Sequence, residues 1–163
     1  MAVKKLERLG WRLQGLVGWI LVSYMAPLPA LFLSKPYQWY ENLAKPGLVP
    51  PGGVFSVVWM MLYFFIGVAV YLVWRKTVGF STTRIPLLFF IVQFLLNAFW
   101  TPVFFGMQSP AGGLVMLVLL VIVVTITTRL FWKISRPAGI LFAIYLLWII
   151  FALYLNTAIF LMN

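Results

Sequence analysis

Five long apolar runs, each close to 20 residues, dominate this 163-residue chain. A helix needs about 20 apolar residues to cross the ~30 Å hydrocarbon core of a bilayer. Because lipid offers the backbone no hydrogen-bond partner, each run is expected to be helical. The sequence therefore predicts an all-α integral membrane protein, a single domain over residues 1–163, formed as a five-helix bundle with spans at about 13–33, 54–74, 85–105, 112–131 and 138–161.

The composition excludes most conventional active sites. The chain is 64% hydrophobic and 9% charged, and it contains neither cysteine nor histidine. Disulfides, thiolate nucleophiles and the imidazole ligand of most zinc and haem sites are therefore absent. The net charge of +10 lies at the ends of the apolar runs, so it indicates membrane topology and not a nucleic-acid-binding surface. No metal site and no acid–base catalytic group is expected.

Basic residues are distributed unevenly between the two sides of the predicted bundle. Lys and Arg near span ends favour the cytoplasmic side. The outer side has Lys35 and Lys45 only, and the chain is expected to have its N-terminus in the cytoplasm and its C-terminus outside, in a bacterial-type membrane. The inner side carries ten basic residues, namely Lys4, Lys5, Arg8, Arg12, Arg75, Lys76, Arg84, Arg129, Lys133 and Arg136.

The first outer loop is the longest polar interruption, and its residues favour an ordered structure. Gly52 and Gly53 permit a tight backbone just before the second span. Pro36, Pro46, Pro50 and Pro51 restrict the chain to extended or turn geometry. The aromatic residues Trp39 and Tyr40, with Leu43, are apolar enough to fold back onto the bundle as a lid. The alternative is an aromatic belt at headgroup depth, which is common at membrane interfaces.

Residues 39–63 carry the most specific motif, WYxxLxKPxxxPPxxVFxxVWxxLY. Three further motifs follow in order: YLVW at 71–74, QxxxNxxWxxxFFG at 93–106 and WxxFAxxLN at 148–156. Together these motifs are similar to those of the TspO translocator family, which includes the tryptophan-rich sensory proteins and the peripheral benzodiazepine receptor. The resemblance extends from about residue 15 to the end of the chain.

The resemblance implies a compact five-helix bundle, usually a homodimer, with a ligand cavity under the first outer loop. Family members bind protoporphyrin IX or haem, cholesterol in animals, and synthetic benzodiazepine-type ligands. No cofactor is obligatory, and the porphyrin is a ligand. On this basis the expected ligand-binding residues are Trp39, Phe55, Trp59, Tyr63, Asn97, Trp100, Phe105, Trp148, Phe151 and Ala152, and the expected lid residues are Tyr40, Leu43, Lys45, Pro46, Pro50 and Pro51.

Each of these residues also has a structural interpretation. Phe55, Trp59 and Tyr63 follow at i, i+4 spacing and present one aromatic face, which is equally typical of helix packing. Asn97 and Asn156 lie inside apolar spans, where interhelical hydrogen bonds are favoured over the alternative of ligand contacts. Glu41 and Lys45 can pair with each other, or Lys45 can meet a porphyrin carboxylate.

Three functions are consistent with these residues. The first is a sensor or handling protein that binds a tetrapyrrole between Trp59 and Trp148. The second is an enzyme that degrades porphyrin in light through these tryptophans, as the resemblance permits. The third is a transporter of porphyrin or small hydrophobic ligands, although five spans cannot form two equal inverted halves.

Two departures from the family narrow the expected ligands. After Tyr154 no basic residue follows, so the animal cholesterol motif is incomplete and cholesterol is disfavoured. Gly112 occupies a position where animal members have a pocket tryptophan, so weakened binding of synthetic ligands is expected.

Overall fold

The protein is almost entirely helical. The computed structural model describes the backbone of residues 2–34, 38–76 and 80–163, with side chains at 10, 12–34, 38–76 and 84–163. Lys35 and Pro36 lie outside the described residues. The helices are α1 (Ala2–Ser23), α2 (Leu28–Leu33), α3 (Gln38–Glu41), α4 (Gly52–Trp74), α5 (Phe80–Thr101), α6 (Pro110–Ile134) and α7 (Arg136–Met162), with a π-helical turn at Pro102–Gly106 after α5.

The five predicted spans are confirmed. Five segments of the described chain are long and apolar enough to cross a membrane: Arg12–Leu33, Gly52–Trp74, Arg84–Gly106, Pro110–Ile134 and Arg136–Met162. The later helices extend beyond the predicted runs because local residues stabilise their ends. At the start of α6, for example, Pro110 occupies the first turn and the Ser109 hydroxyl accepts a hydrogen bond from the Gly112 amide at 3.0 Å.

The first span is interrupted, which differs from the continuous run predicted at 13–33. Pro27 and Pro29 have no amide hydrogen, so they cannot donate the α-helical bonds to the carbonyls of Ser23 and Met25, and the last such bond of α1 runs from Tyr24 to Ile20. Met25 donates instead to the carbonyl of Val22 at 3.1 Å, three residues back. The span therefore consists of α1, a tight turn and α2.

The spans pack as a ring in the order α1, α4, α7, α6, α5. The α1–α4 contact depends on Gly67, because a Cβ atom there would come within 2.5 Å of the Ile20 Cα atom. Trp19 of α1 meets Phe90 of α5 with ring centroids 6.0 Å apart. Apolar side chains such as Phe32, 83% exposed, cover the outside of the ring. This arrangement suits a bundle surrounded by lipid.

The two ends of the bundle differ in structure. At one end the Lys76 ammonium donates to the carbonyl of Ile134 at 3.3 Å, which joins the loops after α4 and α6. At the other end the segment 38–51, which we call the lid, is hydrogen-bonded through Ala44 to Asn163 after α7. The lid includes α3, so the described part of the loop between the first two spans is structured, as predicted.

Candidate functional site

A cavity of about 340 Å³ lies beneath the lid, between the ends of α4, α5 and α7. Its volume is within the range of small-molecule pockets, roughly 300–1,000 Å³. The lining is mostly apolar and aromatic, with a few polar groups near the lid. The lining residues are Tyr40, Glu41, Lys45, Val49 and Pro50 from the lid, Gly52, Phe55 and Ser56 from α4, Trp100, Phe104 and Phe105 from the third span, and Ala152, Leu155, Asn156 and Ile159 from α7.

One face of α7 provides the floor of the cavity. Ala152, Leu155, Asn156 and Ile159 repeat at i, i+3, i+4 and i+7, the spacing of a single helical face. The small side chain of Ala152 is 4% exposed, so a larger residue there would enter the cavity. The floor is therefore smooth and apolar except at Asn156.

Asn156 is held by hydrogen bonds to two other helices. Its Oδ1 accepts from Trp100 Nε1 at 3.3 Å, and its Nδ2 donates to the carbonyl of Pro110 at 2.8 Å. Gly113 makes room for this residue, because a Cβ atom on Gly113 would lie 2.7 Å from Asn156 Oδ1. Asn156 thus fixes the position of the Trp100 ring at the cavity wall.

The π-helical turn brings two phenylalanines to the same wall. Pro102 interrupts the α-helical pattern, and its carbonyl accepts from the Met107 amide five residues later at 2.9 Å. Phe104 stacks on Trp100 with centroids 5.4 Å apart, and it meets Phe105 edge-on at 4.8 Å. The π-helical turn thereby brings Trp100, Phe104 and Phe105 together as a continuous aromatic wall.

The lid is seated on this wall by its own aromatic residues. Trp39 contacts Phe104 edge-on at 5.7 Å between ring centroids, and Tyr40 lies 5.4 Å from Phe105. Asn163 adds a polar attachment, because its side-chain amide pairs with both the amide and the carbonyl of Ala44, at 3.0 and 3.1 Å. The lid is consequently attached both to the aromatic wall and to the end of α7, beside a cavity that stays partly open.

The structure brings seven of the predicted site residues to the cavity. These are Phe55, Trp100, Phe105 and Ala152 from the expected ligand-binding set, and Tyr40, Lys45 and Pro50 from the expected lid set. The other predicted residues, Trp39, Trp59, Tyr63, Asn97, Trp148, Phe151, Leu43, Pro46 and Pro51, do not line the cavity as it stands.

A second aromatic layer lies behind Phe55. The Phe55 ring is 6.2 Å from Trp59 and 5.6 Å from Trp148 between centroids, and Trp148 is 5.4 Å from Phe151. Trp148 Nε1 is buried without a hydrogen-bond partner. The two tryptophans are therefore separated from the cavity by one phenylalanine ring.

Asn97 belongs to a buried chain of hydrogen bonds. Tyr63 Oη donates to Asn97 Oδ1 at 3.1 Å, Asn97 Nδ2 donates to Tyr145 Oη at 2.9 Å, and Tyr145 Oη donates to Gln93 Oε1 at 3.1 Å. The chain links α4, α5 and α7. Of the two interpretations of Asn97, the interhelical hydrogen bond is the one that the structure contains.

Several lining residues were not among the predicted site residues. Asn156 was recognised as a polar residue in an apolar span, and its partners Leu155 and Ile159 share the i, i+3, i+4, i+7 spacing with Ala152, which is a signal that sequence reasoning can use. Phe104 lies within a quoted motif. Glu41 and Gly52 were noted in the sequence for other reasons, a possible ion pair and a tight backbone, and Val49 and Ser56 give no distinctive signal.

Glu41 is the one carboxylate among the described residues that line the cavity. Among the residues that the structure describes, no group of three acidic, cysteine or histidine side chains comes together. The iron of a bound haem would have neither imidazole nor thiolate as an axial ligand, because the sequence contains no histidine or cysteine. The groups that the cavity does present are its aromatic walls and the polar side chains of the lid.

The chain is similar in sequence to proteins from both bacteria and animals. The chain is 39% identical over 137 residues to the tryptophan-rich protein TspO of Chlorobaculum tepidum, covering 81% of this chain and 84% of that protein. It is 36% identical over 136 residues to the tryptophan-rich sensory protein of Cereibacter sphaeroides, covering 83% and 84%. It is 37% identical over 120 residues to the human translocator protein, covering 73% and 71%.

The same relationship appears at the level of the family. The model of the TspO/MBR family matches residues 13–162, which include all five spans and the lid. The motifs that suggested this family, from Trp39 to Asn156, lie within the matched region. The chain is therefore a five-helix integral membrane protein that belongs to the TspO/MBR family.

Proposed function

We propose that this protein binds a tetrapyrrole, such as protoporphyrin IX or haem, in the cavity beneath the lid, as a membrane sensor or handling protein. The observation that carries this proposal is a cavity with aromatic walls, Phe55 and Trp100 among them, that is partly covered by a structured lid. A flat conjugated ring gains affinity from stacking and from the burial of its apolar faces. An apolar floor on α7 suits the same ligand.

The size of the cavity suggests how a macrocycle enters. A volume of about 340 Å³ does not enclose a whole tetrapyrrole. Rotation of the Phe55 ring would join the cavity to the second aromatic layer, where Trp59 and Trp148 can contact the ring. The buried Nε1 of Trp148, which has no partner, would then be available to a polar atom of the ligand.

Light-driven degradation of the bound porphyrin is the second candidate function. Trp59 is 5.5 Å from Tyr63 and 6.4 Å from Tyr145 between ring centroids, so oxidisable rings lie close together behind the cavity. This function requires the same binding step. It differs in that the porphyrin spectrum must be lost under illumination.

The other properties that the family resemblance implies belong to the same proposal. The protein forms a homodimer in the bilayer, binds synthetic benzodiazepine-type ligands weakly and does not have cholesterol as its native ligand. The lid end of the bundle faces outward, because Arg75, Lys76 and Lys133 lie at the opposite end with the loops after α4 and α6. The N-terminus is then cytoplasmic.

A titration with protoporphyrin IX tests the binding proposal. Quenching of tryptophan fluorescence is measured in the dark, in detergent, for the wild type and for Ala152→Leu. The leucine would fill part of the cavity, and we expect the Kd to rise about tenfold, equivalent to roughly 1.4 kcal/mol. Ile150→Phe enlarges an exposed position of the same helix and should leave the Kd unchanged.

Two results separate the candidate functions. Saturable dark binding that Ala152→Leu weakens, with a stable porphyrin spectrum in light, supports the binding function alone. Loss of that spectrum in light, reduced by Trp59→Phe or Trp148→Phe, supports the degrading enzyme. Equal affinity of both α7 variants and the wild type would contradict the proposed site.

A further inference from the structure

Lys45 is the one basic residue in the lining of the cavity, as far as the structure describes it. It lies on the lid, and its side chain is half-buried. A half-buried ammonium at the edge of an apolar cavity interacts more strongly with an anion than a solvated lysine does, because water screens it less. Lys45 is therefore well placed to contact an anionic group of a ligand in the cavity.

The positive charge of Lys45 is not neutralised within the described chain. Its ammonium donates to the carbonyls of Glu41 at 2.9 Å and Leu43 at 3.2 Å, and it lies 4.7 Å from the centre of the Tyr40 ring. All three partners are uncharged groups. The pairing of Lys45 with the Glu41 carboxylate, one of two possibilities in the sequence, is not formed. An ammonium has three donors, so one remains for a ligand.

The surroundings of Lys45 are also favourable to an anion. Gly52, at the start of the 23-residue helix α4, lines the same cavity, and its N-cap residue Pro51 supplies no side-chain hydrogen bond. The amino end of a helix carries a partial positive charge. Glu41 opposes this effect, but its side chain is exposed and its charge is screened by solvent.

The charged groups of the cavity lie on the lid, whereas the α7 side is apolar apart from Asn156. The lid contributes Lys45, whereas α7 contributes Ala152, Leu155 and Ile159. A ligand that satisfies both sides has a flat apolar body and a carboxylate at one edge. We propose that Lys45 makes the cavity selective for such amphipathic aromatic carboxylates by binding the carboxylate through its free N–H. This inference rests on the proposed function, and it defines the ligand class of the same cavity.

A comparison of protoporphyrin IX with its dimethyl ester tests the inference. The two molecules share the macrocycle and differ in the charge of the propionates. We expect the wild type to bind the free acid about tenfold more tightly than the ester, as for a charge-assisted hydrogen bond. Lys45→Gln should remove this difference by weakening the binding of the acid alone, and Lys45→Arg should retain it.

Two further variants serve as references. Glu41→Gln removes the opposing charge and should increase the preference for the acid two- to threefold. Lys76→Gln removes a lysine at the opposite end of the bundle and should leave the preference unchanged. Higher salt should reduce the preference of the wild type.

The possible results are distinguishable. If Lys45→Gln weakens the binding of the acid and of the ester equally, the substitution has changed the lid structure and the inference is overturned. The inference is also overturned if Lys45→Gln still prefers the acid. Equal binding of acid and ester by the wild type would overturn the role of Lys45 while leaving the tetrapyrrole site intact. Failure of the wild type to bind either molecule would overturn the proposed function and this inference with it.

Discussion

The Asn97 side chain joins three helices by hydrogen bonds at the core of the bundle. Both ends of its amide are engaged, by Tyr63 from α4 and by Tyr145 from α7. Asn97 is 7% exposed and does not line the cavity. An unsatisfied hydroxyl in this apolar setting is unfavourable, so the amide stabilises the contact among three helices.

Asn97→Ala should therefore reduce stability much more than ligand binding. Removal of the amide leaves the Tyr63 hydroxyl without its acceptor and the Tyr145 hydroxyl without its donor, although Tyr145 still donates to Gln93. We expect a loss of about 1 kcal/mol and a Tm lower by roughly 2–4 °C. Thermal unfolding in detergent measures this effect. Thr125→Val removes a hydroxyl that bonds only within α6, to the Val121 carbonyl at 2.7 Å, and should change Tm less. A tenfold loss of porphyrin affinity at unchanged Tm would instead make Asn97 a ligand contact.

Asn163, which follows α7, attaches the lid to the end of that helix by hydrogen bonds. Asn163 donates to the carbonyls of Ala44 and Ile159 and accepts from the Ala44 amide. The aromatic contacts of Trp39 and Tyr40 attach the other part of the lid to the π-helical turn. The lid is thus held at two points, one polar and one aromatic.

Asn163→Ala should loosen the polar attachment. The Ala44 amide loses its acceptor, so we expect faster hydrogen exchange of the segment 42–49, while the helices α4 and α7 keep their protection. Mass spectrometry of exchanged peptides measures this difference. Met162→Ala, at the neighbouring exposed position, is the matched control. Unchanged exchange in the lid of Asn163→Ala would show that the aromatic contacts alone keep it in place.

At the scale of the whole molecule, the length of the apolar runs and the polar breaks between them were sufficient to predict the spans. Each apolar run is long enough to cross the membrane, and lipid leaves it no alternative to a helix. The interruption of the first span by Pro27 was not predicted, although prolines at that position have a known effect on the helical ladder. The structured lid was predicted from its prolines and aromatic residues.

The site was less predictable because it depends on contacts between distant segments. The i, i+4 spacing of Phe55, Trp59 and Tyr63 identifies an aromatic face, but the packing of α7 on α4 determines that only Phe55 reaches the cavity. Asn163 and Ala44 are 119 residues apart, so no local pattern indicates their hydrogen bond. The ligand roles of Trp59 and Trp148 remain predictions.

Cysteine labelling can test whether the cavity holds the ligand. The chain has no cysteine, so a single introduced thiol reports one position. Ser56→Cys places it in the cavity lining, and Leu48→Cys places it on an exposed part of the lid outside that lining. A membrane-impermeant maleimide is applied from outside to intact cells, with and without saturating protoporphyrin IX.

We expect both variants to be labelled without ligand, as the proposed outward orientation of the lid requires. Protoporphyrin IX should slow the labelling of Ser56→Cys at least fivefold and leave Leu48→Cys unchanged, because only the first thiol lies where the macrocycle binds. Equal labelling rates of Ser56→Cys with and without the porphyrin would contradict a tetrapyrrole site beneath the lid.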